Sequence, residues 1–255
     1  MGLRFASLGS GSSGNGLVVE SGRTRVLLDC GFTLGESERR LARLGLKASE
    51  LDAILVTHEH SDHLGGVARL ALRHSLRVHL TRGTALSLPE AFPPQLVSLL
   101  DPHSPFSIGE LFIDPIAVPH DAREPVQFAF SDGRARLGVA TDLGCSTPHV
   151  EAKLSGCDAL VLECNHDGGM LESGGYPRAL KQRISGRLGH LENAVAAELL
   201  SRVDRSKLRH VIAAHLSREN NRPELAAAAL AGVLGCAPDW VSIASHDEGF
   251  GWREI

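Results

Sequence analysis

The 255-residue chain contains few aromatic residues and only five cysteines. Aromatic residues make up 4% of it, so its core must consist mainly of Leu, Val, Ile and Ala, within an apolar content of 43% that permits a sizeable core. The cysteines are odd in number and scattered, with no Cys-x-x-Cys pair. They indicate reduced thiols in a cytoplasmic protein and argue against a disulfide framework or a thiolate metal site.

Long apolar segments and low-complexity linkers are also missing. No run approaches the roughly 18 residues of a membrane span, and the first residues lack the apolar stretch of a signal peptide. We therefore expect a single domain, 1–255, with no membrane partner. The Gly/Ser-rich segment 9–16 lacks the Lys of a P-loop, so its backbone could bind an anion or could simply join two strands.

Positive charge is concentrated in one part of the chain. The formal net charge is −4, but segment 176–222 contains ten Lys/Arg and four Asp/Glu, a balance of +6 that leaves −10 on the remainder. Such a basic block could attract a polyanion, or it could consist of ordinary solvated helix faces. Charge alone does not separate these two interpretations.

The densest group of chemically active side chains is the hexapeptide 58–63, with the sequence HEHSDH. It follows a short apolar run that predicts a buried strand, and α/β proteins place ligands on loops at the carboxyl ends of strands. Imidazole and carboxylate groups bind divalent metals. The loop could therefore direct His58 and His60 at one ion while Asp62 and His63 turn toward another.

Polar side chains also follow other predicted strands. His120, Asp142 and His215 each come just past an apolar run, and strand ends at one edge of a sandwich converge in space. Asp29 ends the third predicted strand, where it could orient an imidazole or be a simple turn residue. Further polar residues at or after strand ends are Glu163, Asn165, His166 and His190.

The remaining patterns predict short strands and amphipathic helices. Segments 111–113 and 116–118 read as separate strands, and 241–244 as a final strand. Segment 223–234 is predicted to be a helix, with Pro in its first turn and Gly just past its end. Strands precede helices in each half, which predicts the α+β class: an αββα sandwich of two packed β-sheets with outer helices.

The chain resembles the metallo-β-lactamase superfamily and, within it, the WalJ/YycJ-like branch of bacterial hydrolases. The superfamily signature is the His-x-His-x-Asp-His loop, present here as the hexapeptide. The resemblance extends over nearly the whole chain, through the stretches 7–15, 58–63, 119–122, 141–144, 163–167, 189–191 and 214–221.

The resemblance implies a dinuclear metal site along one edge of the sandwich. The implied ligands are His58, His60 and His120 for the first ion, Asp62, His63 and His215 for the second, and Asp142 as the bridge. Two divalent ions are expected, either Zn²⁺ or Mn²⁺, with Fe also compatible, and a hydroxide shared between them. Asp62 could orient that hydroxide. His190 matches a residue thought to protonate the leaving group in related enzymes, although it could also be a loop or capping histidine.

The implied activity is that of a phosphodiesterase or exonuclease acting on DNA. Ser217 and Arg218 could contact phosphate, and a second subunit, as in a homodimer, could help to build the groove. Further candidates for supporting the ligands or contacting substrate are Asn15, Asp29, Glu163, Asn165 and His166. The alternative is a small-molecule hydrolase acting on a thioester, lactone or cyclic phosphodiester. A non-catalytic scaffold is a third interpretation, against which seven intact ligand positions argue.

Overall fold

Residues 2–255, which the computed structural model describes, form two facing seven-stranded β-sheets. In chain order the strands are β1 (Arg4–Gly9), β2 (Gly16–Ser21), β3 (Thr24–Leu28), β4 (Ala53–Leu55), β5 (Arg77–Leu80), β6 (Val97–Leu99), β7 (Phe106–Ile108), β8 (Leu111–Ala117), β9 (Val126–Ser131), β10 (Arg136–Ala140), β11 (Ala159–Glu163), β12 (His210–Ala214), β13 (Ser242–Ile243) and β14 (Phe250–Glu254). The first sheet has the order β14-β1-β2-β3-β4-β5-β6 and the second the order β13-β12-β11-β10-β9-β8-β7.

Helices cover the outer face of each sheet. They are α1 (Leu34–Arg43), α2 (Ser61–Leu64), α3 (Val67–His74), α4 (Arg82–Ala85), α5 (Pro148–Leu154), α6 (Gly168–Ser173), α7 (Arg178–Ile184), α8 (Asn193–Arg202) and α9 (Pro223–Leu234). Helices α1 and α3 pack on the first sheet, and α5, α8 and α9 pack on the second. Within residues 2–255, none of the helices combines the length and apolarity needed to span a bilayer.

Both faces of each sheet are buried, and alternate residues along a strand divide between two cores. In β3, Val26 and Leu28 point into the core between the sheets, while Leu27 packs under the helices. In β11, Val161 points between the sheets and Leu160 toward the helices. This period of two explains the nearly continuous apolar runs in the sequence. The predicted αββα sandwich is confirmed.

Each sheet contains four consecutive parallel strands, β3 to β6 in the first and β10 to β13 in the second. The carboxyl ends of parallel strands lie on one edge of a sheet, so loops that leave them meet there. The hexapeptide leaves β4 at this edge, and Asp142 and His215 follow β10 and β12.

Two strand predictions were wrong in detail. Segments 111–113 and 116–118 belong to one strand, β8, which continues through Pro115. Proline is tolerated there because β7 pairs only with Leu111–Ile113, so no neighbour on that side needs its missing N–H. Segment 241–244 is not the final strand either, since β14 follows it and pairs with β1.

Candidate metal centre

Six histidines and three carboxylates gather where the strands of both sheets end. The side chains line or underlie a cleft of about 240 Å³. Five members of this group line the cleft directly: His60, Asp62, Asp142, His190 and His215. Four overlapping clusters of the described residues could hold a metal ion.

The first cluster consists of three imidazole nitrogens. Nε2 of His58 lies 3.0 Å from Nδ1 of His60, and Nε2 of His120 lies 3.3 Å from that same atom. His58 and His120 are buried, while His60 is partly exposed to the cleft. Three nitrogens at this spacing can bind one metal ion.

The second cluster joins Asp62, His63 and His215. Oδ2 of Asp62 lies 3.4 Å from Nε2 of His63 and 3.4 Å from Nε2 of His215. Asp142 lies between the clusters: its Oδ2 is 3.1 Å from His63 Nε2, and its Oδ1 is 4.0 Å from His120 Nε2. All seven residues expected to be metal ligands therefore come together, with Asp142 adjacent to both groups.

Hydrogen bonds on the far side of the rings determine which nitrogen faces the centre. His63 Nδ1 donates to Asp29 Oδ2 at 2.8 Å, and His120 Nδ1 donates to the carbonyl oxygen of Gly189 at 3.0 Å. His215 Nδ1 lies 3.3 Å from Glu163 Oε1. Each Nδ1 therefore carries a proton, and each Nε2 faces the centre.

Thr57 completes this support and was not predicted from the sequence. Its hydroxyl donates to Asp29 Oδ2 at 2.9 Å and accepts from His58 Nδ1 at 3.0 Å. Its N–H donates to Asp29 Oδ1 at 2.9 Å. Asp29 therefore orients His63 directly and His58 through Thr57. A threonine that ends an apolar run carries no sequence signal for this role.

The centre has the electrostatics of a cation site. Oδ2 of Asp142 is buried without a hydrogen-bond partner, and it lies 3.1 Å from Nε2 of His63. A buried carboxylate oxygen requires a positive charge beside it, from a metal ion or from a protonated imidazole. Imidazole and carboxylate donors suit a divalent metal ion, so these residues fit one.

The ionisable groups perturb one another strongly. Burial alone would raise the pKa of Asp142, but His215 and His63 outweigh it and hold that pKa well below its usual range. Burial alone would lower the pKa of His215, but Asp142, Asp62 and Glu163 raise it to about 10. Burial and the neighbouring His63 lower the pKa of His58 well below its usual range, although Asp142 opposes them. Positive charge is therefore favoured on the side of the second cluster.

The backbone is strained at three strand ends of the centre. Asp29, Asp142 and His215 have φ of 60°, 54° and 55°, in the left-handed region that non-glycine residues rarely occupy. The one other such residue in 2–255 is Ser75, at the end of α3. This turn lets each strand end reverse and aim its side chain inward. Nothing in the sequence patterns distinguishes these positions from ordinary turns.

The hexapeptide is held against β3 by close backbone contacts. The N–H groups of Asn15 and Cys30 donate to the carbonyl oxygens of Asp62 and His63, both at 2.8 Å. A Cβ on Gly31 would lie 1.8 Å from the carbonyl oxygen of Asp62, so only glycine fits there. Asp62 and His63 thus lie in the single turn of α2, not in an open loop.

The other predicted residues lie at different distances from the centre. Asn15 Nδ2 is 3.2 Å from Asp62 Oδ2, and Glu163 accepts from His190 Nδ1 at 2.7 Å. Asn165 and Ser217 line the cleft. His166 is buried beside Asn165, and Arg218 points away to pair with Asp247 at 2.9 Å.

Two cleft features were not predicted. Asp121 places its Oδ1 3.7 Å from His60 Nε2 and accepts from Arg183 Nε at 2.6 Å. Arg183 belongs to α7, which has no buried residue and covers one side of the cleft together with Tyr176. Asp121 follows the candidate ligand His120 directly, and this adjacency is the one signal that could have indicated it.

The basic block 176–222 is divided by the fold. Its α7 portion lies at the cleft, where Arg183 is a lining residue. Arg205 and Arg209 lie instead near the amino ends of β11 and β12, where Arg209 N donates to Asp158 O. Only part of the predicted positive charge can therefore act on a ligand in the cleft.

Comparisons with known proteins agree with this architecture. A model of the beta-lactamase superfamily domain matches residues 24–215. Exodeoxyribonuclease YycJ of Bacillus anthracis is 34% identical over 92% of this chain and 90% of its own length. Exodeoxyribonuclease WalJ of Streptococcus pneumoniae is 33% identical over 89% of this chain and 86% of its own length.

Among solved structures, the metallo-beta-lactamase fold protein YhfI from Bacillus subtilis superposes with a TM-score of 0.77 at 16% identity, and the match covers 100% of both chains. At this identity the likeness concerns the fold alone. The predicted resemblance to this superfamily and to its WalJ/YycJ-like branch is confirmed by the family model and the two relatives.

Proposed function

Since this chain belongs to the beta-lactamase superfamily, we propose that it is a metal-dependent exonuclease that hydrolyses the phosphodiester bonds of DNA. The two relatives named exodeoxyribonucleases, which align over most of their length, support this substrate. The seven converging side chains support two ions: His58, His60 and His120 for one, Asp62, His63 and His215 for the other, and Asp142 between them.

The pairing of Glu163 with His190 at the cleft carries this proposal. His190 Nδ1 donates to Glu163 Oε1 at 2.7 Å and lies 3.6 Å from Asp142 Oδ1. Its ring stacks on that of His215, with centroids 5.3 Å apart. With Nδ1 engaged, Nε2 remains for a substrate, and the side chain is 22% exposed to solvent.

The surroundings of His190 favour its protonated form, which a general acid requires. Burial alone would lower its pKa, but Glu163 and Asp142 outweigh burial and raise it. The leaving group of DNA hydrolysis is a sugar alkoxide, which needs a proton as the P–O bond breaks. An imidazolium beside the candidate ligands can supply that proton, and Glu163 holds the ring in place.

Divalent ions at the seven ligands would lower the pKa of a bound water and neutralise charge on the phosphodiester. The protein's own groups do the rest. Asp62, partly exposed and between His63 and His215, can orient the attacking water by accepting a hydrogen bond from it. The α7 side of the cleft adds a guanidinium, Arg183, although Asp121 offsets part of its charge.

The first test is cleavage of labelled DNA and of bis(p-nitrophenyl) phosphate, each with Mn²⁺ and with Zn²⁺. We expect stepwise shortening of the DNA from one end and hydrolysis of the small diester. A fully metallated preparation that cuts neither substrate would overturn the proposal. Cleavage of the small diester or of a lactone, without cleavage of DNA, would favour the small-molecule hydrolase.

A His190→Ala variant tests the proton donor. We expect a loss of about 10²- to 10⁴-fold in kcat on DNA, and a much smaller loss on bis(p-nitrophenyl) phosphate, because p-nitrophenolate leaves without a proton. His103→Ala, at an exposed position away from the cleft, is the control. Full cleavage of DNA by His190→Ala would exclude the acid role, and equal losses on both substrates would assign His190 to another task.

A further inference from the structure

A second cleft of about 320 Å³ adjoins the first one and contains none of the candidate metal ligands. The two clefts share Ser217, which follows the candidate ligand His215 by two residues. Its main lining residues are Leu216, Ser217, Arg218, Ile243, His246 and Asp247. The two clefts are therefore adjacent at Ser217, so a ligand longer than one nucleotide could contact both.

The second cleft combines an apolar floor with a charged rim. Leu216 and Ile243 form part of the apolar floor, while the exposed side chains of Arg218 and Asp247 supply the charge at the rim. Its volume is at the lower end of the roughly 300–1,000 Å³ of small-molecule sites, a size for one nucleoside and not for a duplex. Apolar surface suits a base or sugar, and a guanidinium suits a phosphate.

The wall of the second cleft is fixed from behind by two arginines of α1. Arg40 donates to the carbonyl oxygen of His246 at 3.2 Å, and Arg43 donates to those of Asp247 and Glu248 at 3.2 and 3.1 Å. The loop 246–248 therefore does not depend on a ligand for its shape. A preformed site loses less entropy when it binds.

Arg218 is available to a ligand despite its partner. Its side chain is 51% exposed and that of Asp247 is 78% exposed, and pairs of this kind contribute little to stability. A phosphate can replace the carboxylate as the partner of Arg218. The carboxylate of Asp247 then repels an anionic ligand, whereas Arg218 attracts it. Substitutions of these two residues should therefore have opposite effects on binding.

We propose that the second cleft binds the nucleotide next to the scissile phosphodiester of a single DNA strand, with its base or sugar on the apolar floor and its phosphate at Arg218. This inference rests on the proposed function. It predicts a preference for polynucleotides over small diesters, because only a polynucleotide would contact both clefts.

The test compares a short single-stranded oligodeoxynucleotide with bis(p-nitrophenyl) phosphate, which is too small to fill both clefts. The quantity measured is the ratio of kcat/KM on the oligonucleotide to kcat/KM on the small diester. We expect Arg218→Ala to lower this ratio about tenfold and Asp247→Asn to raise it about threefold. Arg218→Lys should fall between Arg218→Ala and the wild type, because it keeps the charge and loses the bidentate geometry.

Matched controls come from the opposite edge of the sheets. Arg209→Ala and Asp239→Asn make the same changes of charge at exposed positions there, and neither should alter the ratio. The binding of a labelled oligonucleotide should also depend less steeply on salt in Arg218→Ala, by about one unit of log–log slope.

The possible failures are distinguishable. If the wild type cleaves both substrates and neither Arg218→Ala nor Asp247→Asn changes the ratio, the second cleft is not a nucleotide site and the proposed function stands. If both variants move the ratio in the same direction, or the controls move it equally, local binding at Arg218 is excluded. If the metallated wild type cleaves neither substrate, the proposed function fails and this inference fails with it.

Discussion

The two sheets contribute to the candidate metal centre in different ways. The first sheet supplies four of the seven candidate ligands from one hexapeptide after β4. The second sheet supplies the other three from separate strand ends: His120 after β8, Asp142 after β10 and His215 after β12. Glu163, at the end of β11, lies beside His215. The ligands of the first sheet are adjacent in the sequence, whereas those of the second sheet come together only when its strands have paired.

This difference has a physical consequence. The side chains of the hexapeptide are near one another in any compact loop, and Asp29 then orients two of them. Those of the second sheet depend on strand register and on left-handed turns at Asp142 and His215. Each sheet also has one buried carboxylate that supports candidate ligands: Asp29 in the first and Glu163 in the second. Substitutions can therefore test the two contributions separately.

The largest effect is expected from Asp142→Asn, because Asp142 of the second sheet contacts His63 of the hexapeptide. Asparagine keeps the shape but loses the charge that faces Nε2 of His63 at 3.1 Å. We expect bound metal to fall by at least one ion per chain and kcat on the small diester to fall by about 10³-fold or more.

Elemental analysis and initial rates measure these two quantities. Asp158→Asn is the matched control, because Asp158 is also buried but lies at the amino end of β11, where its carboxylate accepts from Arg136 N. Normal metal content and activity in Asp142→Asn would show that Asp142 is not a ligand.

The next effect compares the two supporting carboxylates, through Asp29→Asn and Glu163→Gln. Removal of such a support typically lowers metal affinity about 10- to 100-fold. The glutamine at 163 can still accept from Leu143 N and Leu191 N through its carbonyl oxygen, but its NH₂ group then faces the Nδ1 protons of His190 and His215.

We therefore expect both variants to bind metal more weakly in a chelator competition, and Glu163→Gln alone to lose more activity on DNA than on the small diester. Asp29 has no contact with His190, so Asp29→Asn should lower both activities in proportion. If Asp29→Asn and Glu163→Gln lose activity on DNA and on the small diester in the same ratio, Glu163 has no separate role through His190.

The sequence predicted the local contribution better than the distributed one. The hexapeptide was recognisable because its residues are adjacent, and the sandwich because apolar runs alternate with turns. Thr57 and the left-handed turns left no pattern, since they arise from contacts between strands. The strands β6 and β7 have three residues each and lie at sheet edges, so their apolar signals are too short to predict.

A smaller effect concerns the one described non-glycine residue outside the candidate centre whose backbone lies in the left-handed region. Ser75 has φ of 55°, is exposed and ends α3 away from the ligands. Ser75→Gly should remove this strain and raise the free energy of unfolding by about 0.5–1 kcal/mol, or the Tm by about 2 °C, without a change in kcat.

Ser87→Gly is the control for this substitution, because Ser87 is exposed but not in the left-handed region, so glycine there should stabilise nothing. Calorimetry measures both. A lower Tm for Ser75→Gly would mean that contacts of Ser75 outweigh its strain.

The smallest effect concerns a histidine of the first sheet that has no carboxylate beside it. Burial, aided by Arg77, lowers the pKa of His79 to about 4, and its ring stacks on Phe106 with centroids 5.5 Å apart. Its behaviour is the reverse of that of His215, whose carboxylate neighbours raise its pKa to about 10. The folded protein thus holds His79 neutral, whereas the unfolded chain protonates it below about pH 6.5.

Stability contributed by His79 is therefore present above about pH 6.5 and is lost as the pH falls toward 4, because the unfolded state then binds the additional proton. His79→Gln cannot take up that proton, so the difference in unfolding free energy between wild type and variant should shift in favour of the variant as the pH falls from 7 to 5. Urea unfolding at both pH values measures this shift, with the exposed His103→Gln as control. A difference independent of pH would mean that the pKa of His79 is the same in the folded and unfolded states, and that burial without a carboxylate does not lower it.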